Sequence, residues 1–261
     1  MKNSVILEIC ADSVESAVAA EKGGAHRIEL CSGLVEGGTT PSSGLISTVR
    51  SRISIPINVM MRPRGGDFCY SHDDFETMEQ DVDTAKRLGA DGVVIGILRE
   101  EGQVDIERTR RLVDRARPLK VTFHRAFDMS RDLMESLEAM IAVGVDRVLT
   151  SGAEQRVEEG ASRVKEINKR GAGRVAIMAG GGITEANVHR VISATGVSEL
   201  HARASVSFAS PMRHHNERIS MGAVKGREYQ RLLVTEEKVR RLLEAAINGY
   251  RHQKETSVKL G

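Results

Sequence analysis

A chain of 261 residues with 38 basic and 36 acidic side chains carries a formal net charge of only +2. That is too little to draw it to nucleic acid or to an anionic membrane, so any positive site must be local. No apolar run approaches the roughly 20 residues that span a bilayer, and the opening MKNSVILEICADS passes from a brief apolar run straight into charged sequence, unlike a signal peptide. Three cysteines, an odd number, fit a reducing compartment better than a disulfide framework. The expectation is therefore a cytoplasmic protein with neither a nucleic-acid nor a membrane partner.

From the N-terminus, the first apolar run, 5–10, carries Glu8 and Cys10 at its end (ILEIC). Asp12 with Glu15 three positions on reads as a capping box opening a helix over 13–22, stopped by Gly23-Gly24. The second run, 27–31, ends on Glu29 and Cys31 (RIELC), and the third, 57–62, stands behind Pro56. After it comes the loop MMRPRGGDFCYS, then a helix over 73–88 with Ser71 as its N-cap and Gly89 as its stop. The fourth run, 92–97, precedes a helix over 105–116. Pro118 introduces the fifth, 119–125, which ends VTFHR. A helix over 132–143 closes at Gly144, and the sixth run (146–150) leads to a helix over 157–170. The seventh, 174–179, runs into MAGGGIT, where Thr184 caps a helix over 185–194. The eighth, 198–203 (ELHAR), is followed by a stretch over 203–230 with neither strand nor helix periodicity, and then a helix over 235–248.

Eight β-branched runs alternating with helices, joined by short right-handed connections, can close a parallel sheet on itself. The fold class read here is α/β, a single (β/α)8 TIM barrel over 1–261, with an open doubly wound sheet as the competing topology. The irregular stretch is expected to fold over the mouth or against a partner.

Alternate residues of a strand share a face. Glu8 pairs in this way with Cys10, Glu29 with Cys31, Thr122 with His124, and His201 with Arg203, and in a barrel all these strand ends converge on one pocket. Glu8, Glu29 and His124 are the candidates for proton transfer if the chain is an enzyme. Arg62 and Arg64, beside Gly65-Gly66 and Asp67, could hold a carboxylate or phosphate, although Arg62 could equally pair with Glu29. Arg125, Asp128 and His201 add polar groups at the same level. Gly180, Gly181 and Gly182 offer backbone amides to an anion, with Ser205 and Ser207 nearby. Cys10 and Cys31 end adjacent strands, so their sulfurs could meet. Thiolates select soft ions such as Cu(I), against the alternative of inert buried thiols. His214-His215 are expected at solvent or an interface, and Met134, Met140 and Met178 as core filling.

The segments RIELCSGLVEGGTTPSSG, RPRGGDFCYS, VTFHRAFDM, RVLTSG, IMAGGGIT and SPMRHHNERISMG resemble the motifs of the CutC family, associated with copper homeostasis, over about residues 5 to 222. The resemblance implies a cytosolic (β/α)8 barrel, a homo-oligomer, and copper as its partner, with Cys10 and Cys31 as the natural Cu(I) ligands. Glu8, Glu29, Arg62, Arg64, Asp67, His124, Arg125, Asp128 and His201 match polar positions of the family's motifs. The chain departs after His201, where the family carries small hydroxyl residues and this sequence reads Ala202-Arg203-Ala204-Ser205, a change that favours an anionic ligand. The alternative to copper binding is an enzyme acting on a small anionic or phosphorylated metabolite by proton transfer.

Overall fold

Strand alternation divides the apolar from the charged residues and so decides the architecture. A computed structural model describes residues 5–222 and 224–259; the other positions of the expected 1–261 domain lie outside the described residues. Eight parallel strands close into a barrel in chain order: β1 (Ile6–Ala11), β2 (Arg27–Leu30), β3 (Ile57–Met60), β4 (Gly92–Ile95), β5 (Lys120–Phe123), β6 (Arg147–Thr150), β7 (Ala176–Ala179) and β8 (Glu199–Ala202). Leu7, Ile9, Ile28, Leu30, Ile57, Val59, Val121 and Phe123 join one apolar core with the surrounding helices. The alternate set points inward, as the contacts of Arg27 with Met178 and Glu199 and of Asn58 with Glu8 across the lumen demonstrate. Barrels of this class usually fill their interior with branched apolar side chains; this one fills it largely with charge.

The outer ring comprises α1 (Val14–Lys22), α2 (Ser43–Arg50), α3 (His72–Arg87), α4 (Ile106–Ala116), α5 (Leu133–Val143), α6 (Ala161–Gly171), α7 (Val188–Thr195) and α8 (Glu236–Lys259). Ser71 caps α3 in a full capping box with Asp74, and Gly144 ends α5 in the left-handed conformation that glycine tolerates. Two helix starts differ from expectation. Ser13, not Asp12, accepts from the Ser16 amide at the head of α1. Thr184 opens a turn, its amide held by Asn187 Oδ1, and α7 begins only at Val188.

The expected irregular stretch also proves partly ordered. β9 (Ser205–Ala209) pairs antiparallel with β10 (Gln230–Val234), and α8 runs on to Lys259, past the expected end near 248. Neither strand has a local partner, and their pairing gave no periodic signal in the sequence. The segment between them presents the exposed Met212, Ile219, Met221 and Val224, next to the exposed Phe208 of β9. No helix among the described residues is long and apolar enough to cross a membrane.

Candidate functional site

The floor of the barrel is a closed ion network. Strand register sets Glu8 level with both Arg27 and His201. Glu8 Oε2 accepts from Arg27 Nε at 2.6 Å and from Asn58 Nδ2 at 2.8 Å, while Oε1 meets His201 Nδ1 at 2.8 Å. Arg27 also reaches Glu199 at 2.6 Å, and Arg147 joins Glu199 to the Thr122 hydroxyl. Burial alone would raise the Glu8 carboxyl. The His201 hydrogen bond and the Arg27 charge outweigh it and hold the group well below the ordinary carboxylate range. With both oxygens engaged, Glu8 is part of the scaffold, in contrast to the free acid–base group expected of it.

One turn of the pleat higher, the pairing changes character. Cys10 lies level with Glu29, and Cys10 Sγ lies 3.5 Å from Cys31 Sγ, with both thiols free and buried. The two sulfurs and a Glu29 oxygen all fall within 4.8 Å of one another. Met60, Val94 and Leu34 pack around the pair as a small apolar cluster apart from the main core. The hydrogen bond with Cys31 and burial push the Cys10 thiol well up. Glu29 is buried with Oε1 unpartnered among the described residues, its Oε2 lying 3.8 Å from His201 Nε2. Burial and the Glu8 charge raise its carboxyl despite His201. For His201, burial is outweighed by the Glu29 charge, a Cys10 hydrogen bond and Glu8, which keep the imidazolium stable well above its usual range.

The opposite wall is built by the loops after β3 and β5 to β8, around a cavity of about 1110 Å³. His124 accepts the Ala126 amide at Nδ1, 3.0 Å, so the proton sits on Nε2, which has no partner among the described residues. Burial and the Arg62 charge push this imidazole down to about 3, leaving it neutral. Gly96 makes room for the ring, since a Cβ there would lie 2.3 Å from His124 Cε1. Arg62 does not pair with Glu29. Its guanidinium ties together the carbonyls of Glu36, Gly38 and Gly66, with Nε left over. Arg64 turns away into its own loop, bonded to Asp67 and Asp74, so the two arginines do not converge on one ligand. Arg125 holds Asp128, Ser151 and the Glu154 carbonyl. Asp128 in turn takes the amides of Ser151 and Ala153 and the hydroxyls of Thr150 and Ser151, so this pair braces the rim. Gly180 must be small, because a Cβ would stand 2.6 Å from Leu149 Cδ1 and 3.3 Å from His201 Cβ. Gly181 and Gly182, at φ +103° and +75°, border the cavity. Arg27, Asn58, Arg147 and Glu199 escaped the sequence search because they sit at or near strand starts, while the search followed strand ends.

Residues 5–206 match the CutC family. A copper homeostasis protein cutC homolog of Mus musculus is 48% identical over 234 residues, covering 90% of this chain and 86% of its own length. The Homo sapiens homolog is 47% identical over 247 residues, 94% of this chain and 90% of that protein. The crystal structure of a CutC from Streptococcus agalactiae aligns with a TM-score of 0.72 at 32% identity, spanning 76% of this chain and 98% of that one.

Proposed function

Since the chain belongs to the CutC family, we propose that it serves copper homeostasis by taking up copper, as Cu(I), at the Cys10–Cys31 pair of the barrel mouth. The carrying observation is the pair of free, buried sulfurs 3.5 Å apart with a carboxylate oxygen inside ligand reach. Soft sulfur donors suit Cu(I). The other cluster of donors, Glu8, Glu29 and His201, would suit a harder ion, but Glu8 is already held by Arg27 and Asn58. Met60 belongs to the same small apolar cluster as both cysteines, and its thioether would be a third soft donor. Copper is cargo here. Binding requires the thiols to release their protons, and the Glu29 carboxylate, within 4.8 Å of both sulfurs, would accept one. Because the Cys10 thiol is pushed up, affinity for Cu(I) should rise with pH.

Competition titration against a Cu(I) chelator tests the assignment. Cys10→Ser combined with Cys31→Ser is expected to abolish uptake, and an unchanged affinity would refute the site. Free thiols accord with a reducing cytoplasm. The exposed apolar side chains between β9 and β10 support self-association, which light scattering would reveal as a mass above that of one chain.

A second reading is favoured by one specific observation: among the described residues Glu29 Oε1 and His124 Nε2 both lack partners, in the mouth of a fold that often hosts catalysis. A carboxylate pushed up and a neutral imidazole pushed down would serve as base and electrophile in proton transfer on a small anionic metabolite. Turnover of no member of a broad set of phosphorylated and carboxylated metabolites would defeat this reading.

A further inference from the structure

We propose that the barrel mouth holds an oxyanion subsite, built from Arg203 and the amides of Gly181 and Gly182, that binds the phosphate or carboxylate head of a small organic molecule. It rests on the second reading above for the location and names the groups that would hold the anion. The argument starts from hydrogen-bonding capacity. Arg62 and Arg125 also line the cavity, but their guanidinium groups are tied down by the contacts already described. Arg203, half-buried and lining the same cavity, makes neither a hydrogen bond nor an ion pair among the described residues. A guanidinium is a fork of donors whose geometry matches two oxygens of one anion. Arg203 has that fork free.

The loop after the neighbouring strand supplies backbone donors. β7 and β8 run in register through Met178 with Glu199 and Ala179 with Leu200, and beyond that ladder Gly181, Gly182, Ala202 and Arg203 all line the one cavity. The amides of both glycines have no acceptor among the described residues, and a Cβ at Gly181 would already press on Ser151 Cβ at 3.1 Å. Bare backbone is what a closely approaching oxyanion requires. Lys238, whose Nζ rests on the Ser205 carbonyl, adds positive charge on the same side. The carboxylates lining the cavity are Asp128, occupied by its own rim contacts, Asp67, paired with Arg64, the buried Glu29 beside His201, and the exposed Glu36 and Glu185.

An independent observation points to a ligand with a body as well as a head. His124 is 4% exposed, lines this cavity, and carries an Nε2–H without an acceptor. A buried donor of this kind is costly unless something completes it. A phosphate ester or carboxylate extending from the Arg203 rim toward β5 would present the missing oxygen.

Thermal shift with inorganic phosphate, glycerol 3-phosphate and acetate, each against chloride at equal ionic strength, tests the subsite on the full chain. A saturable rise in Tm with the two phosphates identifies a phosphoryl head; a rise with acetate alone identifies a carboxylate head. Arg203→Ala, which breaks no hydrogen bond or ion pair among the described residues, is expected to weaken the responding anion by about tenfold or more, as for loss of a charged hydrogen bond. Cys10→Ser with Cys31→Ser should keep the anion response while losing copper. If no anion raises Tm, or Arg203→Ala responds as the parent does, the subsite is wrong. Anion binding without turnover would defeat proton transfer and leave this inference standing.

Discussion

At the floor of the barrel Glu8, Arg27, Glu199 and Arg147 form a chain of short ion pairs in which both Glu8 oxygens are bonded. At the mouth, around the C-terminal ends of the strands, Glu29 Oε1, His124 Nε2 and Arg62 Nε are buried with no partner among the described residues, and two thiols touch without bonding covalently. Both regions bury polar groups out of water, which is expensive in either place. The floor offsets that cost internally, so its charges specify how the eight strands meet. The mouth leaves the cost standing, and groups left incomplete in a folded interior are those that a ligand can complete.

The largest test of this contrast is Glu8→Ala. Removing one partner from a buried, hydrogen-bonded ion network strands the others, and a loss of about 3–5 kcal/mol is expected from urea unfolding. A loss no greater than that of a surface pair would show that the floor does not organise the barrel. Next comes acidification. His124 is neutral in the fold with its value pushed down to about 3, against 6.5 unperturbed. The unfolded chain therefore binds more protons between these values, and stability falls as pH drops below about 6.5, by at most about 1.4 kcal/mol per pH unit. Glu8 is held low, so its contribution is present above its ordinary 4.5 and is lost below that. His124→Asn should flatten the slope between 6.5 and 4.5, and an identical slope would mean the imidazole is protonated in the fold. The smallest effect belongs to Glu29→Gln. An amide replaces a carboxylate that has an unpartnered oxygen, so stability should change by only about 1 kcal/mol in either direction. A drop as large as that of Glu8→Ala would erase the difference between floor and mouth.

Much of this was legible in the sequence for a simple reason: a strand with apolar residues on one parity and Glu, Cys, Arg or His on the other declares both its faces. ILEIC and RIELC place Glu8, Cys10, Glu29 and Cys31 in the lumen without further information, and the sulfur contact follows from β1 and β2 being neighbours. What could not be read was pairing at a distance. Arg27 begins its strand, and nothing local says that it spans the lumen to Glu199 and Met178. Arg62 and Arg64 look equivalent two residues apart and share a parity, yet the turn of the loop between them ties one to the Gly66 carbonyl and sends the other back onto Asp74. The β9–β10 pair escaped for the same reason, its two halves lying far apart in the chain. Arg203 was visible as the inward neighbour of His201, but its lack of a partner is a property of the fold alone.

The most direct measurement is X-ray absorption at the copper edge on protein loaded with Cu(I). The account predicts a shell dominated by sulfur that disappears from Cys10→Ser with Cys31→Ser. A shell of nitrogen and oxygen alone, unchanged in that double variant, would contradict it.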